Sequence, residues 1–238
     1  MNKIILILTL LFTSLFSQEY INFGKFQNDN TLFVEKDIKK LSEKFLGVKY
    51  VSNTLSNHEI NTSKENLIIN FSSLDCFTFI DTIQALKQST NKEDFVNHLI
   101  NIRYKSGDIS YKNRNHFYSD WIDSNSMTDI TCTLGNCQKK VKYLNENEKY
   151  LKEIDTVQRE ISYINFEDVN LNLLKDGDYV GIYTDKEALD VTHTGIIVKK
   201  FDTFFIRHAS SLKKEIIDSN LALYTKNKLG IIVYRDIN

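Results

Sequence analysis

The order of helical and strand-like patterns along the chain most limits the folds it can adopt. Helical spacing dominates the first half. The last third holds four short runs rich in Ile, Val, Phe and Tyr, namely GDYVGIYT, THTGIIVKK, TFFIRHAS and LGIIVYRD. The stretches between these runs are short, which favours antiparallel neighbours over parallel strands joined by crossovers. Helices followed by strands predict an α+β fold rather than a doubly wound sheet.

Four helices and one further strand are predicted outside these runs. The first helix lies in VEKDIKKLSEKFLG and ends at Gly47, and the second begins at Cys76 in SSLDCFTFIDTIQAL. A third lies in KEDFVNHLINIRY, and a charged fourth is expected around residues 146–162. The apolar run ENLIINF predicts a short strand.

The helix that begins at Cys76 is expected to be amphipathic. Its apolar face is formed by Cys76, Phe79, Ile80, Ile83 and Leu86, and the other side by Asp81, Gln84, Lys87 and Gln88. Either Ser73 or Asp75 can cap its first turn. We therefore expect the Cys76 thiol to point towards whatever this helix packs on.

The first 17 residues have the pattern of a secretory signal peptide. A lysine precedes a short apolar run, and small residues follow near positions 14–17. The run is shorter than the roughly 20 apolar residues that span a bilayer, so a membrane anchor is the weaker interpretation. We expect residues 18–238 to form one exported domain, periplasmic or secreted, with no membrane span after cleavage. The formal net charge of −1 indicates none of the basic surface that binds nucleic acid.

Three cysteines in an exported chain leave one over if two of them pair. Cys132 and Cys137 lie in the short loop TCTLGNCQ, and their separation permits a disulfide. Cys76 would then be the free thiol, either a small buried apolar residue or a reactive one. Neither a C-x-x-C pair nor a helical H-x-x-x-H spacing is present, so no metal site is predicted.

A cysteine at the start of a helix lies near unpaired N–H groups and the positive end of the helix dipole. This position is expected to lower the thiol pKa and to favour a nucleophilic thiolate. His193 begins one predicted strand and His208 ends the next, so a hairpin brings both imidazoles to the same end. His193 can then act as general base while His208 orients it. A purely structural role is the alternative for each histidine taken singly.

Several segments in their order along the chain resemble the bacterial DUF1460 family. They are FLGVKYVSNTL, LDCFTFIDT, IRYKSGDISYKNRNHFYSDW, LKDGDYVGIYT, LDVTHTGI and HASSLKKEIID. Members of that family are amidase-like proteins of the NlpC/P60 superfamily of papain-like cysteine hydrolases. The resemblance covers about residues 32–237 and implies a papain-like α+β fold. In that fold the nucleophile lies at the N-terminus of a helix packed on an antiparallel β-sheet.

The resemblance also implies a reaction and a set of site residues. Family members resemble N-acetylmuramoyl-L-alanine amidases, which separate the lactyl group of the sugar from the stem peptide without a cofactor. Cys76 matches the nucleophile, His193 the base, His208 the orienting residue, and Tyr50 a tyrosine placed to assist the oxyanion. Candidate contacts for muropeptide sugar and carboxylate groups are Arg103, Tyr104, Arg114, His116 and Trp121. An ordinary structured loop around a buried tryptophan is the alternative for this segment.

The chain departs from the family pattern at three positions. Phe77 follows the nucleophile where threonine is usual, Asp81 replaces a glutamate, and Lys49 replaces a proline. None of these touches the predicted triad, but Phe77 can change the shape of the substrate pocket.

Two alternative functions stay open at the level of sequence. One is a D-Glu-specific endopeptidase of the same superfamily, in which Asp75 would bind the free amine of L-Ala. The other is a catalytically silent peptidoglycan-binding or scaffold protein, which is disfavoured because all three triad positions are occupied.

Overall fold

A computed structural model describes residues 20–55, 65–124 and 127–237 of the chain. The predicted signal peptide lies outside these residues. The helices are α1 (Ile38–Glu43), α2 (Cys76–Gln88), α3 (Lys92–Arg103), α4 (Tyr118–Ser124) and α5 (Leu221–Thr225). The strands are β1 (Tyr20–Asn22), β2 (Lys49–Tyr50), β3 (Ile68–Asn70), β4 (Ser73–Leu74), β5 (Met127–Asp129), β6 (Gln138–Leu144), β7 (Val157–Tyr163), β8 (Tyr179–Tyr183), β9 (Val191–Lys200), β10 (Thr203–Ser210), β11 (Glu215–Asn220) and β12 (Ile231–Asp236).

Eight of the strands form one sheet in the order β4-β2-β11-β10-β9-β8-β12-β5. Its centre, from β11 across to β12, is antiparallel throughout, with β2 and β4 as a parallel pair at one edge. Short connections such as the one between β9 and β10 leave no room for a crossover, which is why consecutive strands pair as neighbours. The prediction of a mixed α+β fold with antiparallel strands is confirmed.

The sheet separates two apolar clusters. On one side, phenylalanines from the N-terminal segments pack with α1, α2 and α3, and several of their rings meet edge to face. On the other side, Ile197 and Ile206 of the central hairpin pack with Leu134, Ile164 and Leu221. Alternate residues of β9 and β10 therefore serve different clusters, as the two-residue period of a strand requires.

Helix α2 packs against β9 and is buried on every side from Thr78 to Leu86, which differs from the expected amphipathic helix. Asp81 and Gln84, expected on the polar side, are 1 % and 0 % exposed. Asp81 accepts hydrogen bonds from Arg103 and Trp121, and Gln84 pairs with Tyr179 and Asp236. Asp81 and Gln84 are thus buried on the polar side of the helix because each has hydrogen-bond partners in neighbouring elements.

The prediction of a helix around residues 146–162 is wrong. That region begins with a short 3-10 turn and continues into β7, which pairs antiparallel with β6 from Gln138↔Tyr163 to Leu144↔Val157. Asn145 and Asn147 have φ of 53° and 57°, a left-handed conformation that interrupts a helix. The Asn145 side chain then fixes the loop by bonding Tyr150, Leu151 and Ile154 backbone groups.

A disulfide joins Cys132 and Cys137 directly before β6, with their Cα atoms 4.9 Å apart. Cys76 is left as the free cysteine. Within the described ranges, no helix combines the length and apolar character needed to cross a membrane.

Candidate active site

The start of α2 is fixed by the residue before the cysteine. Asp75 is the N-cap, and its Oδ1 accepts from the backbone N–H of Phe77 at 3.1 Å and of Thr78 at 2.8 Å. The Thr78 hydroxyl in turn accepts from the Asp75 N–H at 3.0 Å, which completes a capping box. Of the two expected caps, Asp75 therefore acts and Ser73 does not. This arrangement places Cys76 at the first helical position.

The same helix start is attached to the sheet beside His193. The Thr194 hydroxyl, buried in β9, donates to the Cys76 carbonyl oxygen at 2.9 Å. Thr194 directly follows His193 in β9, so the residue that bonds the Cys76 backbone is adjacent in sequence to the predicted base. The thiol also interacts electrostatically with Tyr50 and Tyr224, whose pKa values are raised by burial and by a charge on Cys76.

The electrostatic state of the thiol differs from the sequence expectation. Burial, and after it the neighbouring Asp75 carboxylate, together raise the pKa of the Cys76 thiol to about 11. The hydrogen bonds at Thr194 act in the opposite direction but are weaker. Desolvation penalises the charged thiolate more than the helix terminus favours it. The resting side chain at neutral pH is therefore a thiol, and a base is needed to activate it.

His193 and His208 form a hydrogen-bonded pair. His193 Nε2 lies 2.7 Å from His208 Nδ1, and the ring centroids are 4.8 Å apart with nearly perpendicular planes. Tyr224 packs its ring 4.9 Å from His208 and 6.0 Å from His193. Because Nε2 of His193 is engaged, Nδ1 is the nitrogen that remains to accept a proton.

Both imidazoles are neutral at neutral pH. Burial lowers the pKa of His193 to about 3, with His208 as a further cause. Burial also lowers the pKa of His208 to about 4, although the Asp218 carboxylate acts in the opposite direction. The Cys76 thiol and both imidazoles are thus uncharged in the resting site. This is the protonation state in which one imidazole can act as a general base.

A cavity of about 400 Å³ opens beside the first turn of α2. Its walls contain Asp75 and three other predicted substrate contacts, Arg103, Arg114 and His116. The remaining lining residues are Asn53, Leu55, Phe77, Thr78, Asp81, Tyr111, Asn115 and Leu151. Phe77, which departs from the family pattern, therefore does shape this cavity.

Several polar side chains of the cavity form ion pairs or hydrogen bonds with neighbouring groups of the protein. Arg103 Nε pairs with Asp81 at 3.2 Å, and Arg114 pairs with Glu65 at 2.5 Å. His116 Nε2 lies 2.7 Å from the Tyr111 carbonyl oxygen. The two arginines are balanced by buried carboxylates, so the cavity carries no excess positive charge from them.

Two residues of the predicted substrate-binding set lie in the interior instead. Tyr104 and Trp121 are both 0 % exposed. The Tyr104 hydroxyl donates to Glu65 at 2.8 Å, and the Trp121 indole donates to Asp81 at 2.9 Å. These side chains support the wall of the cavity from behind, and direct contact with substrate is corrected to a structural role. Their burial follows from the large apolar area that each ring removes from water.

Three residues of this arrangement were missed at the level of sequence: Thr194, Ser219 and Tyr224. Thr194 could have been noticed as the neighbour of His193, but a threonine in a strand has no distinctive signature. Ser219 reaches His208 through the β10–β11 register, and Tyr224 reaches the rings through α5. Within the described ranges, no three His, Cys, Asp or Glu side chains converge as a metal-binding group.

Comparisons with known proteins place this geometry in a family. A family model described as AmiA-like, N-acetylmuramoyl-L-alanine amidase-like, matches residues 40–231. A crystal structure of an N-acetylmuramoyl-L-alanine amidase from Bacteroides uniformis is 26% identical, with a TM-score of 0.73. That similarity covers 85% of this chain and 98% of that one.

Two further solved structures are similar. A Legionella pneumophila protein of family DUF1460 shares the fold, with 23% identity, a TM-score of 0.71, and coverage of 83% of this chain and 87% of that one. A Bacteroides fragilis protein described as a candidate xylanase is 26% identical, with a TM-score of 0.67 and coverage of 82% and 98%. No curated protein matches the chain. The family model spans most of the sequence, and the chain belongs to the AmiA-like family of N-acetylmuramoyl-L-alanine amidase-like proteins.

Proposed function

We propose that the protein is a cysteine amidase that hydrolyses the bond between the lactyl group of N-acetylmuramic acid and L-Ala of the stem peptide. The observation that carries this proposal is the His193–His208 pair, with 2.7 Å between ring nitrogens, which shares Tyr224 as a neighbour with the free cysteine at the start of α2. Family membership supports amide hydrolysis, and the Bacteroides uniformis relative carries the name of that activity. We further propose that the fold is papain-like, as in the NlpC/P60 superfamily.

The proposed reaction proceeds by acyl transfer. Nδ1 of His193 takes the thiol proton as Cys76 Sγ attacks the lactyl carbonyl carbon. The Cys76 backbone N–H, with Tyr50 nearby, stabilises the resulting oxyanion. The carbon–nitrogen bond then breaks, and the imidazolium returns its proton to the departing L-Ala nitrogen. A thioester links Cys76 to the muramoyl lactyl group, and the stem peptide leaves with a free amine.

Water completes the cycle by hydrolysing the thioester. His193 Nδ1 takes a proton from the water as its oxygen attacks the thioester carbonyl, and it returns that proton to the leaving sulfur. The products are the muramic acid with a free lactyl carboxylate and the regenerated thiol. No redox step occurs, and the proton taken in each half-reaction is returned in the same half-reaction.

The hydrogen bonds that Asp75 already accepts favour the amidase over the endopeptidase alternative. An endopeptidase of this kind binds a free L-Ala amine, which needs an available carboxylate beside the nucleophile. Both Asp75 oxygens are already engaged, Oδ1 by the helix N-terminus and Oδ2 by the Thr54 hydroxyl at 2.8 Å. The nitrogen of L-Ala in an amidase substrate is acylated and uncharged, so it makes no such demand.

We also propose that the protein is exported. The sequence pattern of residues 1–17 and the Cys132–Cys137 disulfide support this, because disulfides persist in oxidising compartments. A muropeptide substrate is then met in the periplasm or outside the cell.

Mass spectrometry of N-acetylmuramoyl-tetrapeptide incubated with the protein tests the reaction. A Cys76→Ala variant is the control for the nucleophile, and the His193→Ala variant is the control for the base. Free tetrapeptide and N-acetylmuramic acid, formed with the unaltered protein alone, are the expected products. Smaller peptides would replace the amidase with the endopeptidase. Binding without turnover by the unaltered protein would identify a silent peptidoglycan-binding protein.

A further inference from the structure

The chain of hydrogen bonds that begins at His193 continues beyond His208 to a serine. His208 Nε2 lies 3.0 Å from Ser219 Oγ, while His208 Nδ1 is the partner of His193. Ser219 is in β11, where its Cα is paired with Ile206 of β10. Both ring nitrogens of His208 therefore have a partner, and among the described residues the series of side chains ends at Ser219.

The proposed chemistry sets the direction of these hydrogen bonds. His193 can accept the thiol proton at Nδ1 only if its own proton is on Nε2, where it is donated to His208 Nδ1. A neutral His208 then carries its single proton on Nε2, which donates to the Ser219 oxygen. The reverse direction would place a proton on Nδ1 of His193 and leave the site without a base.

We propose that Ser219 is a positioning residue that holds His208 in the Nε2–H tautomer and thereby keeps Nδ1 of His193 free to act as the base. This inference deepens the proposed function and rests on it, because it takes His193 as the group that activates Cys76. Without the Ser219 hydroxyl, the Nε2–H tautomer would leave a buried donor unpaired, which disfavours it.

The residue next to Ser219 cannot take over this role. Asp218 is bound by Arg207 through Nε at 2.7 Å and Nη2 at 2.9 Å, and by Lys200 at 2.6 Å. Arg207 in turn bonds Ser42 and the Lys39 carbonyl on the α1 side of the sheet. Because successive side chains of a strand point to opposite faces, Asp218 is held on that side while Ser219 meets His208.

Steady-state kinetics on N-acetylmuramoyl-tetrapeptide test the proposal with an isosteric pair of variants. Ser219→Thr keeps the hydroxyl and Ser219→Val removes it, and both residue types suit a strand. We expect Ser219→Val to lower kcat by about tenfold, the loss associated with one neutral hydrogen bond, with KM within about twofold. Ser219→Thr is expected to stay within about threefold of the unaltered enzyme. Ser162→Ala, a half-buried serine on the separate β6–β7 sheet, is the control and should change neither constant.

Nitrogen-15 NMR of the histidine rings supplies a second readout that needs no turnover. In the Cys76→Ala background, His208 is expected to show the Nε2–H tautomer, and Ser219→Val should shift it towards Nδ1–H. Thermal unfolding of each variant separates this effect from misfolding. The Thr and Val variants share one shape, so a general packing effect would appear in both.

The outcomes separate this inference from the proposed function. An Nδ1–H tautomer of His208 in the Cys76→Ala protein with Ser219 intact, or equal kcat in the Thr and Val variants, would overturn the role of Ser219 even if Cys76 proves essential. Turnover that survives Cys76→Ala would overturn the cysteine mechanism, and the NMR tautomer would still report on the Ser219–His208 contact. A tautomer shift confined to Ser219→Val, together with its loss of kcat, supports the proposal.

Discussion

At the scale of single residues, the charge state of Cys76 depends on its surroundings more than on its place in the helix. A helix N-terminus favours a thiolate by a modest amount, whereas removing the side chain from water opposes it by more. Asp75 serves both as the cap that starts the helix and as a negative charge beside the sulfur. The site therefore relies on His193 to remove the proton during the reaction.

The rate at which iodoacetamide alkylates Cys76 should depend on the fraction of the thiol that is ionised. We expect the rate to rise between about pH 6 and about pH 9 without a plateau, because the pKa of the thiol is raised to about 11. Asp75→Asn removes a neighbouring negative charge that raises the pKa, so its profile should move to lower pH. The measurement is the alkylation rate as a function of pH, followed by mass spectrometry.

A matched control separates the charge from the cap. Asp37→Asn makes the same change at the N-cap of α1, where Asp37 accepts from Lys39 and Lys40 backbone groups. It should weaken its own helix slightly and leave the alkylation profile of Cys76 unchanged. An unshifted profile in Asp75→Asn would mean that burial alone sets the pKa of the thiol.

At the scale of elements, the buried polar side of α2 joins the helix to its neighbours. Arg103 of α3 and Trp121 of α4 both bond Asp81, and burial still raises the pKa of that carboxyl to about 6. The arrangement specifies how three helices meet, because an apolar substitution in any one of them would leave a buried partner unpaired.

Arg103→Met tests this joint. We expect it to lower the free energy of unfolding by about 3–5 kcal/mol, because Asp81 keeps a buried charge without its partner. A carboxyl whose folded pKa is raised contributes stability below its unfolded pKa and loses it as pH rises through the folded value. The loss in the variant should therefore be larger at about pH 8 than at about pH 5. Denaturant unfolding at both pH values measures it.

The control for this prediction is an ion pair in solvent. Lys139 and Glu160, on β6 and β7, are 58% and 57% exposed. Lys139→Met should cost less than about 1 kcal/mol, since exposed pairs are screened by water. Equal costs at the two sites would contradict the account of a buried joint.

The disulfide acts on the element scale as well, by closing the loop before β6. The double variant Cys132→Ser with Cys137→Ser should lower the free energy of unfolding by about 2 kcal/mol, the chain-entropy value for a short loop. Amidase activity should be retained, because neither cysteine lines the cavity or contacts the histidine pair. Unfolding with and without reductant measures the difference, and the variant itself should show no response to reductant. A loss of activity with unchanged stability would contradict this prediction.

At the scale of the whole molecule, the sheet brings residues far apart in the chain to one place. The Cys76 carbonyl oxygen accepts a hydrogen bond from Thr194, which lies 118 positions further along the chain. In β11, Asp218 contacts Arg207 on one face of the sheet and Ser219 contacts His208 on the other. The catalytic proposal thus depends on strand order and register, not on any single motif.

The chain as a whole is expected to be exported. Expressed with residues 1–17 in a Gram-negative host, the protein should be recovered from the periplasm with its N-terminus near residue 18. Intact-mass measurement of the periplasmic and cytoplasmic fractions determines it. A variant with charged residues in the apolar run is the control and should stay uncleaved. An uncleaved unaltered chain held in the membrane fraction would favour the anchor interpretation.

Features that depend on local periodicity could be predicted from the order of amino acids alone. The helix at Cys76, the four C-terminal strands and the placement of His193 and His208 on adjacent strands all follow from patterns a few residues long. Their prediction succeeded because the spacing of apolar residues, every three or four positions in a helix and close together in a strand, is visible in the residues themselves, even where burial extends beyond one face as in α2.

Features that depend on desolvation and on partners distant in the chain became apparent from the three-dimensional fold. Neighbours remote in sequence bury Cys76, which raises its pKa, and bury Tyr104 and Trp121. Another remote neighbour, Thr54, engages the second oxygen of Asp75. The charged segment around residues 146–162 was expected as a helix, and pairing with β6 made part of it a strand. Propensity is a weak local preference of a fraction of a kcal/mol per residue, whereas burial and cross-strand pairing act through contacts that local sequence does not contain.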